Sequence, residues 1–248
     1  MGVAVVTGVS RRIGIGAAVA RRLAEAGWDL FLHSWSPHDA EQPWGADPEG
    51  AAAIVADLRT RVRVEHLVAD LADPDAPAQL VAAAEGAYGR VDALVANHAR
   101  SSVATLEELT AAELDFTYAV NTRATLLLVK EFAARCPGPG RVVLMTSGQH
   151  RGPMPGELPY IASKGALHQV TASLAAHLAP RGITVNAVDP GATDTGYADA
   201  AAHAAVLALE PMGRWGEPDD AARLIAWLAS DAGRWVTGQV LVSNGGGP

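Results

Sequence analysis

The chain has 248 residues, is 49% hydrophobic and carries a formal net charge of -8. That length fits one large α/β domain, 1–248, with an ample core, and its scattered basic residues leave no electrostatic footprint for nucleic acid or an anionic membrane. Cys136 is the only cysteine, so no intrachain disulfide is possible. With no basic leader and no apolar run long enough to span a bilayer, the expected setting is cytoplasmic.

In chain order, short β-branched runs alternate with longer Ala-rich stretches of helical period. Strands are expected at 3–7, 29–33, 62–68, 91–96, 141–146, 184–188 and 240–242, and helices near 14–27, 48–60, 76–88, 110–135, 157–179 and 218–230. This is an α/β pattern, a doubly wound parallel sheet with crossover helices on both faces. Two stretches, 34–48 and 191–216, are less regular. Ligands of such sheets bind beyond the carboxyl ends of the strands, so the chemistry belongs on the loops that follow them.

The first such loop runs Thr7-Gly8-Val9-Ser10-Arg11-Arg12-Ile13-Gly14-Ile15-Gly16 into a helix. Glycines admit a phosphate close to backbone amides, and the helix start adds unpaired N–H groups, which makes a pyrophosphate cradle. After the second strand, His33-Ser34-Trp35-Ser36 offers no carboxylate for a ribose 2′-hydroxyl. Arg11 and Arg12 suit a 2′-phosphate instead, so NADP(H) is expected rather than NAD(H), although Asp39 or Glu41 could still reach the ribose.

Tyr160 and Lys164 stand at i and i+4, on one helix face. Ser147 follows the fifth strand, at the ligand-binding edge. A free phenol holds its proton to a pKa of about 10, and a neighbouring ammonium favours the phenolate. Lys164 can supply that charge, and Ser147 can polarise a carbonyl beside the Tyr160 hydroxyl. Asn121, an amide inside a helix, is either a further site member or a packing amide satisfied locally. His98 and His150 also follow strands, and are read as polar loop histidines or as substrate contacts. No His, Cys or acid cluster has metal-ligand spacing.

These ordered features resemble the short-chain dehydrogenase/reductase family over essentially the whole chain. The resemblance rests on the Gly-rich turn, Asp70-Leu71, Ala96-Asn97-His98-Ala99, Asn121, Ser147, the Tyr160–Lys164 pair, Asp189-Pro190-Gly191 with Thr193 and Thr195, and Thr237-Gly238-Gln239. It implies a Rossmann fold with seven parallel strands and a catalytic set of Asn121, Ser147, Tyr160 and Lys164. It further implies coenzyme contacts from Gly8, Ser10, Arg11, Arg12, Gly14, Ile15, Asp70, Leu71, Asn97, Ala99, Tyr160, Lys164, Pro190, Gly191, Thr193 and Thr195. Two departures stand out. The turn matches the family only if two residues are inserted, so that Gly14-Ile15-Gly16 supplies the G-x-G, and a bulky His98 replaces the usual alanine.

The expected activity is hydride transfer between NADP(H) and a small carbonyl or alcohol, as in the 3-oxoacyl-carrier-protein reductase type. The alternatives are an NAD-linked alcohol dehydrogenase and a catalytically silent coenzyme-binding sensor or scaffold. The resemblance also implies a homodimer or homotetramer built on the helices at 110–135 and 157–179.

Overall fold

Seven apolar runs become the strands Val3–Val6 (β1), Asp29–Ser34 (β2), Val64–Val68 (β3), Ala93–Ala96 (β4), Gly140–Met145 (β5), Ile183–Asp189 (β6) and Val240–Val242 (β7). In the computed structural model, which describes residues 2–247, they form one all-parallel sheet in the order β3-β2-β1-β4-β5-β6-β7. Each inner strand is buried on both faces because successive side chains enter opposite cores. Ala4 and Val6 pack with Leu23, Ile54 and Ile225 on one side, whereas Val5 packs with Leu80, Leu128 and Phe132 on the other.

The first core is covered by Ile15–Glu25 (α1), Gly50–Leu58 (α3) and Pro218–Ala229 (α9). The second is covered by Ala76–Tyr88 (α4), Ala124–Arg135 (α6) and the end of Leu158–Leu178 (α7). Between β1 and β4 the chain's direction of progress along the sheet reverses, and such a reversal opens a crevice at the strand ends. The loops that follow β1 to β6 meet this edge, whereas Thr237-Gly238-Gln239 precedes β7 and bonds Val185 near the start of β6.

Three elements differ from expectation. The helix expected at 110–135 is divided into Ala111–Tyr118 (α5) and α6 by a π-helical turn, Ala119–Arg123. The irregular stretches contain two short helices, Pro37–Glu41 (α2) and Ala200–Leu207 (α8). Neither buries a residue, so neither carries the apolar period by which a helix is recognised in sequence. No helix among the described residues is long and apolar enough to cross a membrane.

Candidate active site

Gly14 caps α1, which starts at Ile15 as the inserted-turn alignment requires. A Cβ on Gly16 would stand 2.4 Å from the Gly8 carbonyl oxygen, so only glycine lets the helix start sit against the turn. Asn97 locks β4 to this turn, its amide donating to the carbonyls of Thr7 and Gly8 at 3.1 Å each. The result is a cleft of about 400 Å³ at the β1/β4 reversal.

Gly8, Ser10, Arg11, Gly14 and Ile15 line one wall of the cleft, and Asp70, Leu71, Asn97 and Ala99 line the other. Thr195 and Tyr197 reach it from the loop after β6. Of the two arginines, only Arg11 lines this cleft. Arg12 is ion-paired with Asp47, at 2.9 Å, and with Glu49. Asp39 and Glu41, the two acids within reach of the ribose, also line the cleft, as do Trp35, His38 and Trp44, which no sequence pattern marks. The Asp39 carboxylate accepts a hydrogen bond from the Trp44 indole at 3.0 Å, and Trp44 meets Tyr197 edge to face with ring centroids 6.3 Å apart.

Two buried histidines support the turn from below. His33 Nδ1 accepts from the Gly8 N–H at 3.3 Å while Nε2 donates to the Ala69 carbonyl at 2.9 Å. His98 Nδ1 accepts from the Thr7 hydroxyl at 2.7 Å while Nε2 donates to the Val120 carbonyl at 3.0 Å. Each ring is thereby fixed in one neutral tautomer. Burial lowers the pKa of His33 to about 4 and that of His98 to about 3. His98 therefore ties the β1 turn to the π-helical turn while also lining the cleft. His150 donates through Nδ1 to the Ser147 carbonyl at 3.2 Å and packs on His168 with centroids 4.7 Å apart.

The catalytic candidates meet at the ends of β5 and β6. Thr146 N–H bonds the Val188 carbonyl, which sets Ser147 beside Asp189-Pro190-Gly191. Tyr160 and Lys164 project from the first turns of α7 toward the same edge. Lys164 is 2% exposed, its Nζ donates to the Met145 carbonyl at 2.9 Å, and it lies 5.8 Å from the centroid of the Tyr160 ring. Burial pulls the Lys164 pKa down to about 8. Burial pushes the Tyr160 phenol well above its usual range, hydrogen bonding to Ser147 opposes this, and the negative fields of Glu157, Tyr197 and Asp189 add to it. The phenol is thus a firmly protonated group beside a hydroxyl and a cation.

Asn121 lies in the π-helical turn with its side chain fully engaged. Oδ1 accepts from the Arg100 N–H at 2.7 Å, and Nδ2 donates to the Arg100 carbonyl at 3.0 Å and to Ser163 Oγ at 2.9 Å. This accounts for an amide at a helical position: it pins the loop after β4 to α7. Thr193 donates to the Pro190 carbonyl at 3.1 Å, closing the turn that follows β6, and Gly191 N–H is held by the Asp189 carboxylate at 3.0 Å. Pro190, Gly191 and Thr193 adjoin Ser147 rather than the 400 Å³ cleft.

The family described as Enoyl-(Acyl carrier protein) reductase matches residues 8–247. An uncharacterized oxidoreductase, YjdA of Bacillus subtilis, is 42% identical over 98% of this chain and 96% of its own length. A short-chain dehydrogenase of Burkholderia cenocepacia solved with NADP is 37% identical, with a TM-score of 0.87 over 98% of this chain and 96% of that one. A blue fluorescent protein from a metagenomic library, solved with NADPH, is 36% identical, with a TM-score of 0.89 over 99% and 97%. Agreement of sequence and fold over nearly the full length leads to one conclusion: the chain belongs to the short-chain dehydrogenase/reductase family of oxidoreductases.

Proposed function

We propose that the protein is an NADP(H)-dependent carbonyl reductase in which Tyr160 is the proton donor. The observation that carries this reading is the grouping of the protonated Tyr160 phenol, the buried Lys164 ammonium and Ser147 at one sheet edge, next to a cleft with a glycine-lined helix start. The cleft fits a dinucleotide: Gly16 keeps the α1 amides accessible at the turn, and Arg11 lines the same wall and can meet a 2′-phosphate. Both NADP-containing structures described above are similar to this chain over nearly its whole length.

NADPH, when bound, supplies the hydride. The protein's own groups do the rest. Ser147 donates a hydrogen bond to the substrate carbonyl oxygen, Tyr160 gives that oxygen its proton, and Lys164 stabilises the phenolate left behind. A protonated phenol can give its proton to the carbonyl oxygen as the alkoxide forms. Pro190, Gly191, Thr193 and Thr195 would hold the nicotinamide end, Asp70 and Leu71 the adenine, and Asn97 and Ala99 the adenosine ribose. Asn121 supports the site by fixing Arg100 and Ser163.

The finer assignment, a ketoreductase of the 3-oxoacyl-carrier-protein type, rests on the resemblance. The loop after β6 adds an aromatic surface: Tyr197 contacts Trp215 with centroids 6.0 Å apart, and His203 stacks on Trp215 at 4.7 Å. Such a wall suits a partly apolar carbonyl compound. The test is NADPH oxidation against a panel of ketones, aldehydes and a 3-oxoacyl thioester. Tyr160→Phe is expected to lower turnover by about 10²- to 10⁴-fold, and unchanged turnover would refute the proton-donor role. Tighter binding of NADH than NADPH in a fluorescence titration would refute the coenzyme assignment. A homodimer or homotetramer is part of the same reading.

A further inference from the structure

Arg151 lies four residues beyond Ser147, outside every motif used above. Its Nε donates to the Asp189 carboxylate at 2.9 Å, in an ion pair whose two side chains are 19% and 1% exposed. Its Nη1 donates to the Gly247 carbonyl at 3.0 Å. The guanidinium is also packed over Gly148, where an added Cβ would meet Nη2 at 2.9 Å. One side chain therefore joins the loop after β5, the last residue of β6 and the segment 243–247.

That segment is built into the site. Ser243 N–H bonds the Asp189 carbonyl at 2.8 Å, and Asn244 Nδ2 bonds the Gly247 carbonyl at 2.6 Å. Gly191 has a φ of +64°, and a Cβ there would lie 2.4 Å from Asn244 Cβ, so the backbone of the Pro190–Gly191 turn rests directly on Asn244. On its far side the segment touches the substrate-side loop: a Cβ on Gly245 would be 3.3 Å from Met212 Sδ, and one on Gly247 would be 2.8 Å from a Glu210 carboxylate oxygen. The segment is thus a wedge between the turn after β6 and the loop that carries Tyr197 and Trp215.

We propose that Arg151 is a positioning residue for the coenzyme: by clamping Asp189 to the 243–247 wedge, it holds the Pro190–Gly191 turn in place for the nicotinamide end and in register with Ser147. Asp189 needs this clamp for a second reason. A carboxylate 1% exposed is costly without a counter-charge, and Arg151 is the cation paired with it. Conversion of Arg151 to an apolar residue both frees the wedge and leaves the acid uncompensated, and the two effects separate in a double variant.

The inference rests on the reading that the turn after β6 serves the coenzyme, and its test uses binding as well as turnover. Arg151→Met is expected to weaken NADPH binding about tenfold by fluorescence titration and to lower the thermal midpoint by a few degrees. The KM for the carbonyl substrate should stay within about threefold. Arg151→Lys, which keeps the charge but reaches with a single nitrogen, should recover most of the affinity. Arg151→Met combined with Asp189→Asn removes the uncompensated acid. It should regain the lost stability and still bind NADPH about tenfold more weakly. Wild-type affinity in folded Arg151→Met, or in the double variant should the single one fail to fold, would overturn the proposal. If Tyr160→Phe keeps full turnover, the proton-donor reading falls while the binding measurements on Arg151 still decide this one.

Discussion

His33 and His98 bring an acid limit to the protein that its carboxylates do not set. Both rings are neutral in the folded state, with pKa values of about 4 and about 3 against 6.5 for the free side chain. Above pH 6.5 the folded and unfolded chains are both deprotonated here, so these residues contribute no pH dependence. Below it the unfolded chain binds protons first, and stability falls by up to about 1.4 kcal/mol per pH unit for each ring until its folded pKa is reached. Urea unfolding at pH 7, 6 and 5 should show a falling midpoint, with a shallower fall in His98→Gln. A midpoint constant over that range would contradict the neutral assignment. At this scale the sequence was informative where one helix fixes geometry, as for Tyr160 and Lys164. It was uninformative where a contact spans the fold: the bond from Gly8 to His33 crosses 25 residues and the pairing of Arg12 with Asp47 crosses 35, and no local pattern encodes either.

Among the elements, the π-helical turn at 119–123 does the most positioning for its size. It carries Asn121, whose carboxamide makes three hydrogen bonds, two to the Arg100 backbone and one to Ser163. Asn121→Ala takes this partner from the part-buried N–H and carbonyl of Arg100, while Ser163 keeps its bond to the Tyr160 carbonyl, and the loss costs about 1–3 kcal/mol for each group not reached by water. The variant should be roughly 2–4 kcal/mol less stable in chemical denaturation, with coenzyme affinity reduced through the loosened loop after β4. A loss below about 0.5 kcal/mol would show that water replaces the amide. The turn was not legible in advance, since a single widened turn hardly alters the spacing of apolar residues around it. The long helices and the seven strands were legible because burial imposes period on them. α2 and α8, resting on solvent, have none to read.

At the scale of the whole molecule, several large apolar side chains lie on the surface. Leu114 and Tyr118 on α5 are 38% and 49% exposed, and Trp235 after α9 is 95% exposed. The solvent face of α7 presents Ala162, Ala172 and Ala176, small enough for close helix contact. Burial of such surfaces against a second copy is the arrangement expected of a homo-oligomer. Light scattering should give two or four times the chain mass, and a monomer at micromolar concentration would exclude the assembly.

The strand order has one more consequence, in the time course of synthesis rather than in the finished fold. The walls of the cleft come from residues 8–16 and from the end of β4 at Asn97, so the two sides leave the ribosome far apart. The first three strands can pair as β3-β2-β1 while β4 is still unmade, and until it docks β1 is an open edge with apolar faces on both sides. The growing chain is therefore open to wrong pairing along β1 before this cleft first exists, and NADPH can favour the native state only once residues 93–97 are in place.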